Sequence, residues 1–205
     1  MGTDRVATID HQDDSQQVAG RRTVLAFAGL GALSALASTY LPGASFNFAG
    51  FDILPPPGIY FGLALGLGTW LLCGWGASGG AIVWAATFAA WMVAFEVAME
   101  VTTILGNIGV KEIAGIDVQN FIAGLVAGAV GAAITFCGAC FAAPNSWNTR
   151  RLYAVTALGA GLGLLLEPAI EGDGSMLLAL FLPWQVAVAA LIGRYMSRPA
   201  VPARR

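Results

Sequence analysis

The stretch that most constrains the fold runs from Gly80 to Val101 and reads GAIVWAATFAAWMVAFEVAMEV. Its first sixteen residues carry no charge, and an apolar helix of about 20 residues is long enough to cross the hydrocarbon core of a bilayer. Glu96 and Glu100 follow, four residues apart and therefore on one face of a helix. A carboxylate close to the bilayer core is costly unless it has a partner, water or a function. This segment therefore predicts a membrane span that ends in two notable glutamates.

The rest of the chain has a similar pattern. Its 205 residues are 57% hydrophobic and 11% charged, whereas a soluble domain carries about 25% charged residues. Long apolar blocks alternate with short polar joints, which is typical of a protein that crosses the membrane several times. No basic patch is interleaved with aromatic residues, so nothing in the sequence favours nucleic-acid binding.

The apolar blocks predict an all-α membrane protein, a compact bundle of six transmembrane helices within residues 21–197. The predicted spans are about 23–41, 58–74, 79–101, 121–142, 152–167 and 175–195. Residues 1–20 are polar and acidic, and we expect a disordered cytoplasmic tail there. Residues 198–205 form a basic cytoplasmic tail. A short amphipathic helix or a re-entrant segment fits the joint at 102–120.

The basic residues predict the orientation. All nine arginines fall on one side of the six-span arrangement, and the only lysine, Lys111, falls on the other. Because positive residues are enriched in cytoplasmic loops, we expect both termini in the cytoplasm. Arginine almost without lysine also suggests a GC-rich bacterial genome, which favours a bacterial inner (plasma) membrane as the location.

The first span has an alternative interpretation. Arg21 and Arg22, followed by an apolar run and by Ala35-Leu36-Ala37, resemble a twin-arginine signal with a small-residue cleavage site. In that case the segment is cleaved instead of forming span one. The run at 23–41 is long enough to span, which favours the uncleaved interpretation.

Small residues recur every four positions on several predicted spans. Such spacing lets helix backbones approach closely in lipid, where apolar side chains alone give no driving force for association. The pattern occurs on four spans, at Gly58/Gly62/Gly66, Gly124/Gly128/Ala132, Gly159/Gly163 and Ala28/Ala32 with Gly31/Ala35. It predicts tight packing within the bundle, or against other membrane subunits through the same faces.

An acidic set is expected at the outer face. Gly80 to Glu96 and Arg151 to Glu167 are each sixteen residues, so the two glutamates reach a similar depth if both helices start at the inner interface. Clustered carboxylates attract cations and ligate amines or hard metal ions. A solvated rim without a ligand is the alternative. The candidate substrate- or cation-binding residues are Asp52, Glu96, Glu100, Glu167, Glu171 and Asp173.

Pro183 and Gln185 form a second candidate feature, in the middle of the sixth span. A proline inside a helix removes one backbone hydrogen bond and kinks the helix. A polar side chain beside such a kink either lines a cavity or bonds a neighbouring helix. The sequence favours the second interpretation, a packing bend.

Three cysteines are weak candidates for a metal site. Cys73, Cys137 and Cys140 are expected at one depth near the inner, reducing side, which argues against disulfides. Three thiolates can hold zinc or copper(I), but a single CxxC without histidine is more often ordinary packing. The only histidine, His11, lies in the tail, so no histidine-based catalytic pair is present. We expect no enzyme activity and no bound cofactor.

In its 205 residues, six spans and inside termini, this plan is similar to the substrate-binding membrane subunits of energy-coupling-factor importers. The similarity lies in the plan and not in a motif. It implies that the outer joints at 41–57 and 102–120 cap a solute site. The acidic mouth favours a cation or basic small molecule over an anion.

The leading hypothesis is thus a solute-binding or transport subunit in the lipid bilayer. The alternative is a non-catalytic accessory or assembly subunit of a larger membrane complex. A membrane enzyme or a thiol–metal protein ranks third.

Overall fold

The computed structural model describes residues 4–41, 46–48, 51–53, 56–110, 112–113, 116–166 and 176–197. Within these ranges the chain forms a helical bundle, which confirms the all-α class. The helices are α1 (Asp4–Tyr40), α2 (Pro56–Leu71), α3 (Gly76–Asn107), α4 (Val118–Ala142), α5 (Thr149–Gly163) and α6 (Met176–Met196). A 3-10 turn at Pro144–Ser146 precedes α5.

Four helices in the described part of the chain are long and apolar enough to cross a membrane. They contribute the segments Gln17–Tyr40, Gly76–Asn107, Val118–Ala142 and Leu177–Met196. With 16 and 15 residues, α2 and α5 are shorter, about 24 and 22 Å long at 1.5 Å per residue. A membrane protein is therefore supported, and the crossing of all six helices stays a prediction.

Two helices extend beyond the predicted spans. The first begins at Asp4, inside the segment for which we expect a disordered tail, and the third continues to Asn107, six residues past the predicted end. Adding a residue to an existing helix requires no new nucleation, so a helix started by a membrane segment readily continues into polar sequence. The division into tail and membrane domain stays a prediction.

The two predicted outer joints contain short β-ribbons. In the joint at 41–57, β1 (Phe46–Phe48) pairs antiparallel with β2 (Phe51–Ile53). In the joint at 102–120, β3 (Glu112–Ile113) pairs antiparallel with β4 (Ile116–Asp117). Both ribbons have two residues between their strands, the commonest length of a hairpin connection.

Hydrogen-bonded caps fix where two of the helices begin. The Asp117 carboxylate accepts a hydrogen bond from the Asn120 backbone N–H at 3.1 Å, and the Asn148 side chain accepts one from the Arg150 backbone N–H at 2.9 Å. Each bond satisfies an N–H that the first helical turn leaves without a partner. Helices α4 and α5 therefore start immediately after these residues.

Close contacts show that α2 and α3 run antiparallel. A Cβ added to Gly58, near the start of α2, would lie 2.7 Å from the Cβ of Trp91. A Cβ added to Gly66, further along α2, would lie 2.7 Å from the carbonyl oxygen of Gly80, near the start of α3. These positions therefore accept no side chain, and the two backbones touch.

The pair α4–α5 is also antiparallel and is the tightest crossing. Gly124 faces Gly163, and Gly128 faces Gly159, with backbone against backbone. The small-residue spacing on the fourth and fifth spans thus serves packing inside the bundle.

The remaining helices close the bundle into a ring. Gly31 of α1 lies against the backbone of Gln185 in α6, and Phe27 fits against Gly193, so these two helices are antiparallel as well. Successive helices are neighbours, α6 returns to α1, and the contact between α5 and α6 is less extensive than those of the other neighbouring pairs. The beginning of α1 and the end of α6 consequently lie at the same end of the ring.

The two ends of the bundle differ in charge. Where side chains are described, all arginines lie on the segments that meet where α1 begins and α6 ends, namely Arg21, Arg22, Arg150, Arg151 and Arg194. The acidic side chains lie towards the opposite end, namely Glu96, Glu100 and Asp117. We call these the arginine end and the acidic end.

Candidate functional site

A cavity of about 120 Å³ lies inside the ring, towards the acidic end. It is partly open, and its lining residues lie at the start of α2, in the middle of α3 and α4, at the end of α5 and in the first half of α6. Five aromatic side chains form much of its wall, and we call it the aromatic cavity. They are Phe61, Trp91, Phe95, Phe181 and Trp184.

Small residues on α4 create the space. Gly124, Ala127, Gly128 and Gly131 line the cavity along one helix face. A Cβ added to Gly131 would lie 3.2 Å from that of Ala94 and 3.8 Å from the Trp184 ring, so the missing side chain there leaves room towards the aromatic wall. Gly124 and Gly128 instead face the backbone of α5.

Edge-to-face ring contacts fix the aromatic wall. The ring centroids of Phe61 and Trp184 are 5.5 Å apart at 65°, which joins α2 to α6. Those of Trp91 and Phe181 are 5.7 Å apart at 66°, which joins α3 to α6. This geometry is favourable for aromatic pairs, so the wall is preorganised.

Two hydroxyl groups at the cavity wall are already satisfied. Thr87 Oγ1 donates to the carbonyl oxygen of Val83 at 2.7 Å, and Thr135 Oγ1 donates to that of Gly131 at 2.8 Å. Both bonds stay within one helix. These threonines therefore present mainly methyl surface and spare lone pairs to a ligand.

Gln185 is the polar side chain of the wall that connects two helices. It is only 2% exposed. Its Oε1 accepts a hydrogen bond from Ser34 Oγ at 2.5 Å, and its Nε2 donates one to Ser38 Oγ at 3.3 Å. Since both serines belong to α1, the amide ties α6 to α1. Pro183 lies two residues earlier, inside α6. Gln185 both lines the cavity and bonds a neighbouring helix, which are the two alternatives that the sequence offers.

No protein-family model, curated protein or solved structure matches this chain. The cavity and its surroundings are therefore the features that bear on function.

No charged side chain lines the cavity in the described part of the chain. Removing an ion from water costs several kcal/mol even after relaxation, whereas a cation–π contact returns about 0.5–2 kcal/mol. The aromatic rings alone consequently do not compensate the burial of a charged ligand. The chemistry of this wall favours an uncharged, mainly apolar molecule.

Of the six predicted acidic residues, Glu96 and Glu100 are the two whose side chains the structure describes. Glu96 and Glu100 are exposed on α3, and neither is among the lining residues. Glu96 follows the lining residue Phe95, and one step along a helix turns a side chain by about 100°. Asp52 lies in β2, but its side chain is outside the described part. Glu167, Glu171 and Asp173 lie outside the described residues.

The distance of Glu96 from the start of α3 explains why an exposed carboxylate there costs little free energy in a membrane. Glu96 is twenty residues beyond Gly76, where the helix begins, a rise of about 30 Å. This equals the thickness of a typical hydrocarbon core. If Gly76 lies at one boundary of the core, Glu96 therefore lies at the opposite boundary.

The cysteines lie at the arginine end and participate in packing. Cys73 and Cys140 are buried, and Cys137 is half-buried. Ser146 Oγ lies 3.4 Å from Cys140 Sγ. Among the described side chains, no three histidine, cysteine or acidic groups are placed to hold a metal ion.

Sequence analysis did not single out the five aromatic residues of the wall. Phenylalanine and tryptophan in apolar helices are usual in cores and at lipid surfaces, and only the ring of helices brings these together. The available signal was the glycine repeat on α4, which indicates a surface where neighbouring side chains leave space.

Proposed function

We propose that this protein is an integral membrane solute-binding or transport subunit, and that its solute occupies the aromatic cavity. The proposal includes six spans, both termini in the cytoplasm and a location in the bacterial inner membrane. The observation that carries it is a partly open cavity between five helices, with no charged side chain among its described lining residues. Ligand sites are typically concave and mostly apolar, with few polar groups.

The arginine distribution supports an outward-facing cavity. Arginines at one end of the bundle favour that end as cytoplasmic. The cavity lies towards the other end, so it faces away from the cytoplasm in this orientation. In this orientation the cavity is placed to bind a solute from the external side of the membrane.

Ligand binding to the full-length protein in lipid nanodiscs tests this proposal. The probes are 2-phenylethanol, 2-phenylethylammonium and phenylacetate, which share one ring and differ in charge. A bound probe stabilises the native state and raises the midpoint of thermal unfolding. We expect at least one probe to bind saturably.

A matched pair of substitutions localises that binding. Ala98 lines the cavity, whereas Ala89 is exposed on the same helix. Ala98→Trp fills the cavity and is expected to weaken binding at least tenfold, while Ala89→Trp leaves it unchanged. If no probe binds saturably, or if both variants bind like the native protein, the solute-binding proposal is wrong.

A second candidate function is that of an accessory subunit in a larger membrane complex. An external groove of about 230 Å³ between α2 and α3 favours it. The groove has Gly66 and Gly80 at its base and the exposed Trp70 and Trp84 beside it. Extraction in a mild detergent should then recover a stoichiometric partner, and Ala81→Trp, at an exposed position of the groove, should release it. Recovery of the chain alone under conditions that preserve its fold contradicts this second function.

A further inference from the structure

We infer that the aromatic cavity selects an uncharged solute with one aromatic ring and one hydrogen-bonding group, and that the Gln185 amide recognises this group. The inference deepens the proposed function and rests on it. It also narrows the expected solute class, because the acidic residues that favoured a cation do not line the described wall.

The size of the cavity sets the size of the solute. Its volume is about 120 Å³, comparable to an engineered cavity of roughly 150 Å³ lined by aliphatic and aromatic residues that binds benzene. A single ring with a short substituent matches this volume. A larger solute would require the wall to move.

Charge complementarity selects against ions of either sign. Within the described structure the wall offers aromatic rings, methyl groups and glycine backbone, but no carboxylate, ammonium or guanidinium group. A carboxylate ligand would lose its water without gaining a cation. An ammonium ligand would gain ring faces only, and in each edge-to-face pair the edge of one ring already covers a face of the other.

Gln185 supplies the polar contact. A primary amide has two N–H donors and a carbonyl oxygen with two lone pairs. The bonds to Ser34 and Ser38 use one donor and one lone pair among the described side chains. The second N–H and the second lone pair of the amide make no hydrogen bond within the described structure, and the serines hold the amide in place. A hydroxyl group on the solute is complementary to this N–H and this lone pair, because a hydroxyl group both donates and accepts a hydrogen bond.

Burial strengthens this discrimination. Gln185 is 2% exposed and lines the cavity, so water competes little for its free groups. A site built to bond a polar group rejects an analogue that lacks it, since the buried donor and acceptor are then left without partners. The amide thus distinguishes a ring with a hydroxyl group from a plain hydrocarbon.

The test compares four probes on the full-length protein in nanodiscs by saturation-transfer NMR and thermal unfolding. We expect 2-phenylethanol to bind at least tenfold more tightly than 2-phenylethylammonium or phenylacetate. We also expect it to bind several-fold more tightly than ethylbenzene, which lacks the hydroxyl group. Gln185→Met keeps a similar length without the amide and should remove the preference over ethylbenzene. Ser34→Ala keeps the amide and should retain that preference in part.

The outcomes separate the two proposals. If the ammonium or the carboxylate binds as tightly as the alcohol in a manner sensitive to Ala98→Trp, the cavity is a solute site but the inferred solute class is wrong. If Gln185→Met retains the full preference for the alcohol, Gln185 is not the recognising group. Should that variant fail to fold, the native protein's preference for the alcohol over ethylbenzene still decides, and equal affinities overturn the inference. If none of the probes binds, the solute-binding proposal fails together with the inference.

Discussion

Gly163 illustrates how much a single hydrogen in place of a side chain contributes to this bundle. A Cβ at this position would meet the carbonyl group of Gly124, whereas one at Gly161, on the same helix, would meet nothing within 4 Å. The backbones of α4 and α5 therefore approach each other closely at Gly163 and not at Gly161. Exchanging either glycine for alanine changes the helix propensity by a similar amount, so the pair isolates the effect of contact.

We predict that Gly163→Ala lowers the free energy of unfolding by about 1–3 kcal/mol, the usual cost of overpacking. Gly161→Ala should be neutral or slightly stabilising. Unfolding in mixed micelles with increasing SDS, followed by circular dichroism, measures both. Equal effects of the two substitutions would show that α4 and α5 do not touch at Gly163.

Gln185 shows what sequence alone could and could not decide. A glutamine next to Pro183 in an apolar helix predicts either a cavity or a bond to another helix, and the sequence favours the bond. In the structure both alternatives hold, because the Gln185 side chain bonds α1 and the residue also lines the cavity. The partner serines, 151 and 147 residues away in the chain, carry no local signal of this contact.

The contact between α1 and α6 depends on Gly31. A Cβ there would lie 2.6 Å from the backbone oxygen of Gln185, while one at Gly29 would meet nothing within 4 Å. We predict that Gly31→Leu separates α1 from α6 and lowers the midpoint of thermal unfolding by several degrees. Gly29→Leu, on an exposed position of the same helix, provides the control and should leave the midpoint within about one degree. A midpoint unchanged by Gly31→Leu would contradict the close approach.

The beginning of α4 depends on its cap. Asp117 accepts hydrogen bonds from both the backbone and the side chain of Asn120, at 3.1 and 2.8 Å. Asp117→Ala should therefore destabilise the protein by about 1 kcal/mol, measured by unfolding in SDS micelles. Asp117→Asn keeps a capping oxygen and should recover most of that loss. If the alanine and asparagine variants are equally stable, the cap contributes nothing.

The elements were predictable to different degrees. Each predicted span overlaps one observed helix, because apolar length and glycine punctuation are local properties. The ends of α1 and α3 differ because polar sequence beyond the bilayer is compatible with either helix or coil. The two β-ribbons were not predicted, since strands of two or three residues have no recognisable period. A cavity beside Gln185 was the less favoured of two alternatives, because such a space arises between helices that are distant in sequence.

The six helices of the described structure have an arginine end and an acidic end, and the proposed arrangement places the arginine end in the cytoplasm. Asn145 lies exposed in the turn between α4 and α5, at the arginine end. In a variant without the native cysteines, we predict that Asn145→Cys reacts with a membrane-impermeant maleimide only after the cells are permeabilised. Glu100→Cys, at the acidic end, should react in intact cells. Labelling of Asn145→Cys in intact cells would contradict the predicted orientation or the predicted number of spans.

The proposed function assigns the bundle as a whole the binding of a small uncharged molecule on its outer side. Alkylation of Ala98→Cys by an impermeant maleimide added to intact cells, with and without 2-phenylethanol, tests this directly. We predict that the alcohol slows alkylation at this cavity-lining position at least several-fold, in a saturable manner, and leaves Glu100→Cys, an exposed position outside the cavity, unaffected. Alkylation of Ala98→Cys at the same rate with and without the alcohol would contradict the account.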